Sequence, residues 1–387
     1  MEKIKLGDIA SVITKGTTPT SIGFNFIEQG INFIKIESIT EDGSFINDKF
    51  AHISEECNSR LKRSQIKEND ILFSIAGAIG RVAVVNNEIL PANTNQALAI
   101  IRVDDRYDKE FLTFLLRSSF ITKQYNKKKQ GVAQINLSLK DISELEIPII
   151  DINKQLEIKE NLKNIIKIIN LRKKQLEDLN NIIKSQFVEM FQCGNYPKDE
   201  LGKLCDVRDG THDSPKYLEE SEYKFITSKN IVNNEIDFSE AKYISKQDYD
   251  KFNTRSKVNY GDILMPMIGT IGKPIIVNIP DEKIDFAIKN VALIKFLENS
   301  KVTNIYIKNL FDSDYFENAI SQNKRGGTQK FIALSDIRKL EIEIPPIELQ
   351  NKFAEFVKQI DKQKFEIENS LKEMQELYES LMEKYFG

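Results

Sequence analysis

The chain has no tryptophan, three cysteines, two histidines and no apolar run long enough to cross a bilayer. Each shortage removes a class of function. Cys57, Cys193 and Cys205 share no CxxC spacing, and His52 and His212 stand far apart in the chain, so no zinc site can be composed from them. An odd number of thiols suits a reducing compartment. The opening MEKIKLGDIA has no apolar signal core, so the expectation is a soluble, cytoplasmic protein that uses no membrane. Lys and Arg number 55 against 58 Asp and Glu, a net charge of −3. That balance argues against sequence-blind coating of nucleic acid and leaves room for a selective reader whose cations are local. A length of 387 residues allows two or three domains with proper cores.

Catalytic signatures are missing as well. GTIGK (269–273) is too short for a GxxxxGK[ST] phosphate loop and reads as a hairpin turn followed by a cation. HExxH, GxSxG and paired Cys/His arrangements are absent. IPPI (344–347) lacks the polar and aromatic members of an amino-methyltransferase loop, and PDEK (280–283) is an acidic–basic stretch of the kind loops carry by chance. No catalytic, cofactor-binding or metal-binding residue is assigned to this chain.

What the chain does contain is one long amphipathic helix written twice, free of proline and glycine, at 152–191 and 347–386. The first seam runs Leu162, Ile165, Ile169, Arg172, Leu176, Leu179, Ile183, Gln186, Met190. The second runs Val357, Ile360, Lys364, Ile367, Leu371, Met374, Tyr378, Leu381, Tyr385. The two superpose at a constant offset of 195 residues, with the alternating three-and-four spacing of a left-handed coiled coil. Each helix could extend roughly 60 Å. A lone pattern of this kind would be an ordinary surface helix; two copies in one register point to a helix pair. Ile166, Ile168, Ile182, Phe187, Phe353 and Phe356 widen the apolar stripe, which points to a further polypeptide packed on the pair.

The repeat reaches into the globular segments. LGDIA (6–10) answers LGKLC (201–205), KGTTP (15–19) answers DGTHDSP (209–215), and FIKIESI (33–39) answers FITSKNI (225–231). NDILFSIAGAIGR (69–81) is matched by GDILMPMIGTIGK (261–273), NQALAII (95–101) by KNVALIK (289–295), and GVAQINLSLKDI by GGTQKFIALSDI. DILFSIAG with RVAVVNN, and DILMPMIG with KPIIVNI, read as hairpins; Pro266 suggests an edge strand or a bulge. Residues 109–126 and 303–323 have helical spacing. The expected fold class is α+β: two pseudo-repeated domains with curved or barrel-like sheets at 1–150 and 193–346, and long helices at 151–192 and 347–387. For its seam to be buried on the first helix, the second must run antiparallel. That gives a dumbbell with a pseudo-two-fold axis.

Polar, glycine-anchored loops carry cations at equivalent places. Lys127, Lys128 and Lys129 precede GVAQ; Lys324 and Arg325 precede GTQ; Arg81 and Lys273 follow matching glycine turns. Such cations suit phosphates, while Gln134 and Gln329 could reach base edges. A single basic loop would be ordinary solvated surface; recurrence in both halves favours a role. The small-polar loops Lys15, Gly16, Thr17, Thr18 and Arg208, Asp209, Gly210, Thr211, His212, Ser214, Lys216 are suited to lie along a DNA backbone. Lys35, Lys229 and Asn230, in the FIKIESI and FITSKNI segments, complete the candidates.

Taken together, LGDIA and LGKLC, GTTP and DGTHDSP, GDIL with GTIGK, GxxQ with its following LKDI or LSDI, and IPPIELQ before a terminal helix resemble the specificity subunits of type I restriction–modification systems (HsdS). The resemblance covers essentially the whole chain. It implies two target-recognition domains, each reading half of a split sequence in double-stranded DNA, held apart by two antiparallel helices. It also implies docking of two methyltransferase (modification) subunits on those helices, with S-adenosylmethionine held by those partners, and restriction motor–nuclease subunits where restriction accompanies methylation. One departure is IPIIDINKQ, which keeps Gln155, matching Gln350, without the double proline. A DNA-independent coiled-coil scaffold and a free-standing nuclease are the other readings the sequence leaves open; the missing acid or histidine cluster speaks against the second.

Overall fold

The computed structural model describes residues 2–127, 136–192, 194–232, 234–269, 271–313, 316 and 331–387. Backbone contacts divide the chain into two compact units, Met1–Lys173 with Asn369–Gly387, and Lys174–Glu368. Each unit contains one globule and one end of each long helix, α1 (Ile152–Phe187) and α2 (Ile347–Phe386).

In the first unit, four antiparallel strands lie in the order Ala10–Lys15, Leu98–Val103, Ile71–Ser74, Val82–Val84, with Ile71 opposite Val84 in the expected hairpin. Neighbouring residues of a strand point to opposite faces, and this sheet buries both. Ile71 and Phe73 join Phe111, Leu112 and Leu162 of α1 in one core. Leu72 joins Ile34, Ala83 and Ile100 in another, against a second sheet ordered Ala51–Ile53, Ile31–Ile34, Ala92–Thr94, Gln65–Ile66. Burial on both faces is why this strand reads as a continuous apolar run.

The second unit repeats the plan. Asp206–Asp209, Val291–Lys295, Ile263–Pro266 and Ile275–Ile276 form one sheet; Lys242–Ile244, Tyr223–Thr227 and Phe286–Lys289 form the other. In both units the second sheet is joined through a parallel pair, Ile31–Ile34 with Ala92–Thr94 and Tyr223–Thr227 with Phe286–Lys289. Among the described residues these are open sheets, and none closes into a barrel. The buried start of the GDIL strand is held the same way twice. Asp70 accepts from Nε and Nη2 of Arg102, both at 2.7 Å, and from the Lys67 amide. Asp262 accepts from Lys295 Nζ at 2.5 Å and from the Asn259 amide at 2.7 Å. Burial raises the Asp262 carboxyl above its ordinary range, against the pull of Lys295.

Two local expectations are refined. The span 109–126 is not one helix but two, Lys109–Arg117 and Ser119–Asn126. Ser118 separates them: its hydroxyl donates to Leu115 O (2.6 Å) and accepts from the Ile121 amide, ending one helix and capping the next. Pro266 stands at a local edge inside the sheet, with no bulge. It is the last residue of an inner strand, beyond the point where Ile275–Ile276 has ended, so the pairing with that neighbour does not need its missing N–H. Cys57 and Cys205 are buried free thiols, and burial pushes Cys205 up to about 12; Cys193 lies outside the described residues.

Each globule is closed by its own ends, Lys3–Lys5 pairing with Glu146–Pro148 and Lys198–Glu200 with Glu341–Glu343. The following long helix is then locked to the globule by one glutamine. Gln155, fully buried, accepts from the Asp108 amide (2.9 Å) and donates to Arg106 O (3.0 Å) and Ile150 O (2.7 Å). Gln350, equally buried, accepts from the Thr303 amide (2.8 Å) and donates to Lys301 O (2.9 Å) and Pro345 O (2.8 Å). All four residues of each lock correspond at the 195-residue offset. Neither proline has a counterpart before α1: Ile150 stands for Pro345 and offers the same carbonyl to the lock, and Asp151 stands for Pro346, whose carbonyl the glutamine side chain does not use.

In the first unit Ile158 and Leu162, near the start of α1, share a core with Phe386, at the end of α2, while Ile166 packs there with Tyr378 and Leu381. In the second unit Phe187 and Phe191 meet Phe353 at ring-centroid distances of 5.5 and 5.4 Å. Within each unit the helices therefore run antiparallel. A π-helical turn, Val188–Gln192, extends α1 and sets Phe191 beside Phe187. Of the seam positions, Leu162, Ile165, Ile169, Ile183, Val357 and Ile360 are buried. Arg172, Leu176, Leu179, Gln186, Met190, Lys364, Ile367, Leu371, Met374, Tyr378, Leu381 and Tyr385 are half-buried.

Candidate nucleic-acid interface

The repeated loops KGTTP and DGTHDSP each leave the first strand of the main sheet at a glycine. A Cβ on Gly16 would stand 1.7 Å from Thr94 O, and one on Gly210 would stand 2.3 Å from Ile288 O. Only glycine allows the loop to lie this tightly on the neighbouring chain. Two residues on, the loops reach equivalent partners. Thr18 Oγ1 donates to Gln96 Oε1 at 2.6 Å; His212 Nδ1 lies 2.9 Å from Asn290 Oδ1. The construction is shared and the side chains at its tip differ.

In the second unit the tip belongs to a polar network. His212 donates from Nε2 to Asp209 at 2.9 Å, and Arg255 forms an ion pair with the same carboxylate. Lys289 Nζ donates to Ser214 Oγ (2.7 Å), and Ser228 Oγ donates to the Asn290 carbonyl (3.0 Å). Lys251 is 2.9 Å from Asp213 and holds that carboxyl below its ordinary range. Asp209 is buried while the side chains of His212 and Arg255 are 63% and 64% exposed, so the network rises from a fixed base to a solvent-facing edge. Thr211 lies bridged to Lys289 and caps the Asp213 amide. Lys216, two residues after Ser214, is exposed.

Other candidates are placed apart or already engaged. Arg208 donates to Asp206 (2.6 Å, Nη2) and to Arg255 O (2.9 Å). Arg81 Nη1 donates to Ile36 O (3.3 Å) and Ile39 O (3.0 Å), tying its turn to the 3-10 turn that follows Ile31–Ile34. Asn230 is buried, accepting from Thr227 and donating to Asp237 O, so it shapes its turn. Lys35 lies over the Phe26 ring at 4.5 Å. Lys15 and Thr17 are half-buried; Lys127, Lys229 and Lys273 are exposed. Lys128, Lys129, Gln134, Lys324, Arg325 and Gln329 lie outside the described residues.

Arg255, Lys251, Lys289 and Asn290 escaped the sequence reading. A signal for the first existed: aligning NDIL with GDIL superposes Arg63-Ser64 on Arg255-Ser256, and both serines are buried. Among the described residues no cluster of three or more His, Cys, Asp or Glu could hold a metal ion, and no helix is long and apolar enough to cross a membrane.

The family model for the type I restriction modification DNA specificity domain matches twice, at residues 1–181 and 195–377. The type I restriction enzyme EcoBI specificity subunit of Escherichia coli is 30% identical over 173 residues, spanning 43% of this chain and 36% of that one. The MjaVIII specificity subunit of Methanocaldococcus jannaschii is 25% identical over 413 residues, spanning 97% and 91%. A chain solved in a study of complex assembly and conformational transition of the type I R-M system has a TM-score of 0.62 at 17% identity, covering 100% of this chain and 97% of that one. The type I restriction–modification S subunit from M. genitalium has a TM-score of 0.51 at 15% identity, covering 100% and 96%. These two likenesses bear on the fold.

Proposed function

This chain belongs to the type I restriction–modification DNA specificity family and is a DNA sequence-specificity subunit; from that premise we propose that each half reads one half of a split duplex target. The observation that carries this reading is the repeated loop with different tips, Thr18–Gln96 in one half and His212–Asn290 in the other. A shared scaffold places the loop, and the variable side chains supply hydrogen-bonding groups of different character for base edges. Exposed Lys216, Lys229 and Lys273 would supply backbone contacts that position without specifying.

The chain itself carries out no covalent step. Methylation belongs to two methyltransferase subunits docked on α1 and α2, where Ile168, Leu171, Ile182, Phe365 and Leu377 remain exposed and offer apolar surface beyond the seam. Where restriction accompanies methylation, motor–nuclease subunits join the same assembly. The lengths of α1 and α2 set the spacer between the half-sites, one turn of DNA being about 34 Å.

The half-by-half reading has a direct test. Thr18→Ala and His212→Ala, each assembled with the methyltransferase partner, are assayed on duplexes with single base changes in either half-site. Each substitution is expected to relax discrimination by about 1–3 kcal/mol at one position, in its own half only. Relaxation in both halves at once, or in neither, would contradict it.

A further inference from the structure

The two halves differ in charge at one equivalent place. In the second, Arg255 is neutralised by Asp209, the residue just before the loop glycine. In the first, the residue before the equivalent glycine is Lys15, and Arg255 is replaced by Arg63 on the aligned Arg-Ser pair. The carboxylate that satisfies one arginine has become a second cation. Arg63 has no ion-pair partner among the described residues, and neither has Arg60.

Around this place the first unit has a cavity of about 760 Å³ lined by Thr17, Ile22, Phe24, Arg60, Leu61, Arg63 and Ser64. No carboxylate lines it. The turn that carries Arg63, Lys62–Ser64, packs along the strand that ends at Lys15. Two guanidiniums and the Thr17 hydroxyl, with no carboxylate among the lining residues, form a site for an anion. Ile22, Phe24 and Leu61 give the same cavity an apolar wall, as a sugar beside a phosphate would require.

Resting on the DNA-specificity reading above, we propose that this cleft is a phosphodiester subsite of the first half, in which Arg60 and Arg63, with Thr17, grip one backbone phosphate of the bound duplex. The second half has no such subsite, because Asp209 occupies the position of the anion. The two halves therefore hold DNA unequally: the first through a backbone clamp, the second through its Asp209–His212–Arg255 edge.

The test uses the full chain in complex with its methyltransferase partner and a duplex carrying the target mapped in wild-type cells. Arg60→Ala with Arg63→Ala is expected to weaken binding about tenfold or more at moderate salt. It should also reduce the slope of log K against log salt by about 1, while preference among bases is unchanged. Lys15→Asp gives the first half the ion pair of the second; it should lose affinity in the same manner while its circular dichroism and melting remain those of a folded protein. Affinity and salt slope unchanged in both variants, with wild-type binding intact, would overturn the subsite and leave the specificity reading standing. Absence of wild-type binding to the mapped duplex would instead strike at that reading and at the subsite with it. A third arm adds millimolar inorganic phosphate or ATP without DNA. Stabilisation by either that is lost in the double variant, with DNA binding unaffected, would assign the cleft to a free phosphate ligand and overturn its assignment to DNA.

Discussion

Removing 169–175 together with 364–370 is expected to abolish methylation at the original target. The two segments are heptads at the same position of each copy, so the deletion leaves the alternating three-and-four spacing of both seams unbroken. Ile158, Leu162, Phe187, Phe353 and Phe386, which fasten the helix ends to the globules, lie outside it. Each helix loses about 10 Å, near three base pairs of DNA. If helix length sets the spacer, the shortened protein methylates sites with a shorter spacer or none at all. Removing one heptad alone is a harsher change, since it throws one seam out of register with the other. Methylation of the original site at wild-type rate by the double deletion would refute the role assigned to helix length.

Gln155→Leu is expected to release α1 from the first globule, and Gln350→Leu to release α2 from the second. Leucine is of similar size, so little cavity is created, but one amide and two carbonyls lose their partner in a site that solvent does not reach. Each buried group left unsatisfied costs about 1–3 kcal/mol, so the total is on the order of several kcal/mol. The Asp108 and Thr303 amides that the glutamines hold are at the N-caps of the helices Lys109–Arg117 and Asn304–Phe311. Hydrogen exchange should therefore quicken at Lys109–Arg117 and the start of α1 in the first variant, and at Asn304–Phe311 and the start of α2 in the second. Wild-type exchange in both pairs of segments would show that the glutamines are not the locks.

These locks were partly legible in the sequence, because Gln155 and Gln350 sit at the shared offset just inside each helix. The partners were not, since Arg106, Ile150, Lys301 and Pro345 contribute backbone carbonyls, which leave no mark on side-chain identity. Helix existence and the hairpin after GDIL came directly from period and spacing. Non-local pairing did not: nothing local says that Ile31–Ile34 runs parallel to Ala92–Thr94, or that Ser118 divides a helical span.

The candidate site divides along the same line. The glycines of KGTTP and DGTHDSP were visible as repeated residues, and the close carbonyls behind them explain why only glycine serves. The roles of Arg81 and Asn230 were not visible. A cation after a glycine turn looks available to a phosphate, but the Arg81 guanidinium is held by two carbonyls of a strand-end turn some forty residues earlier in the chain. The Arg60–Arg63 cleft was hidden for a different reason. It exists because Lys15 stands where its counterpart is an aspartate, a contrast that carries meaning only once the structure sets Arg255 against Asp209.

The most direct measurement is long-read sequencing of DNA methylation in cells carrying the methyltransferase partner, with and without this chain. The account predicts one bipartite methylated motif, present only with the chain, whose two halves would be the sequences read by the two globules. An unchanged methylation pattern on removing the chain, in cells where it is expressed and assembled with that partner, would contradict it.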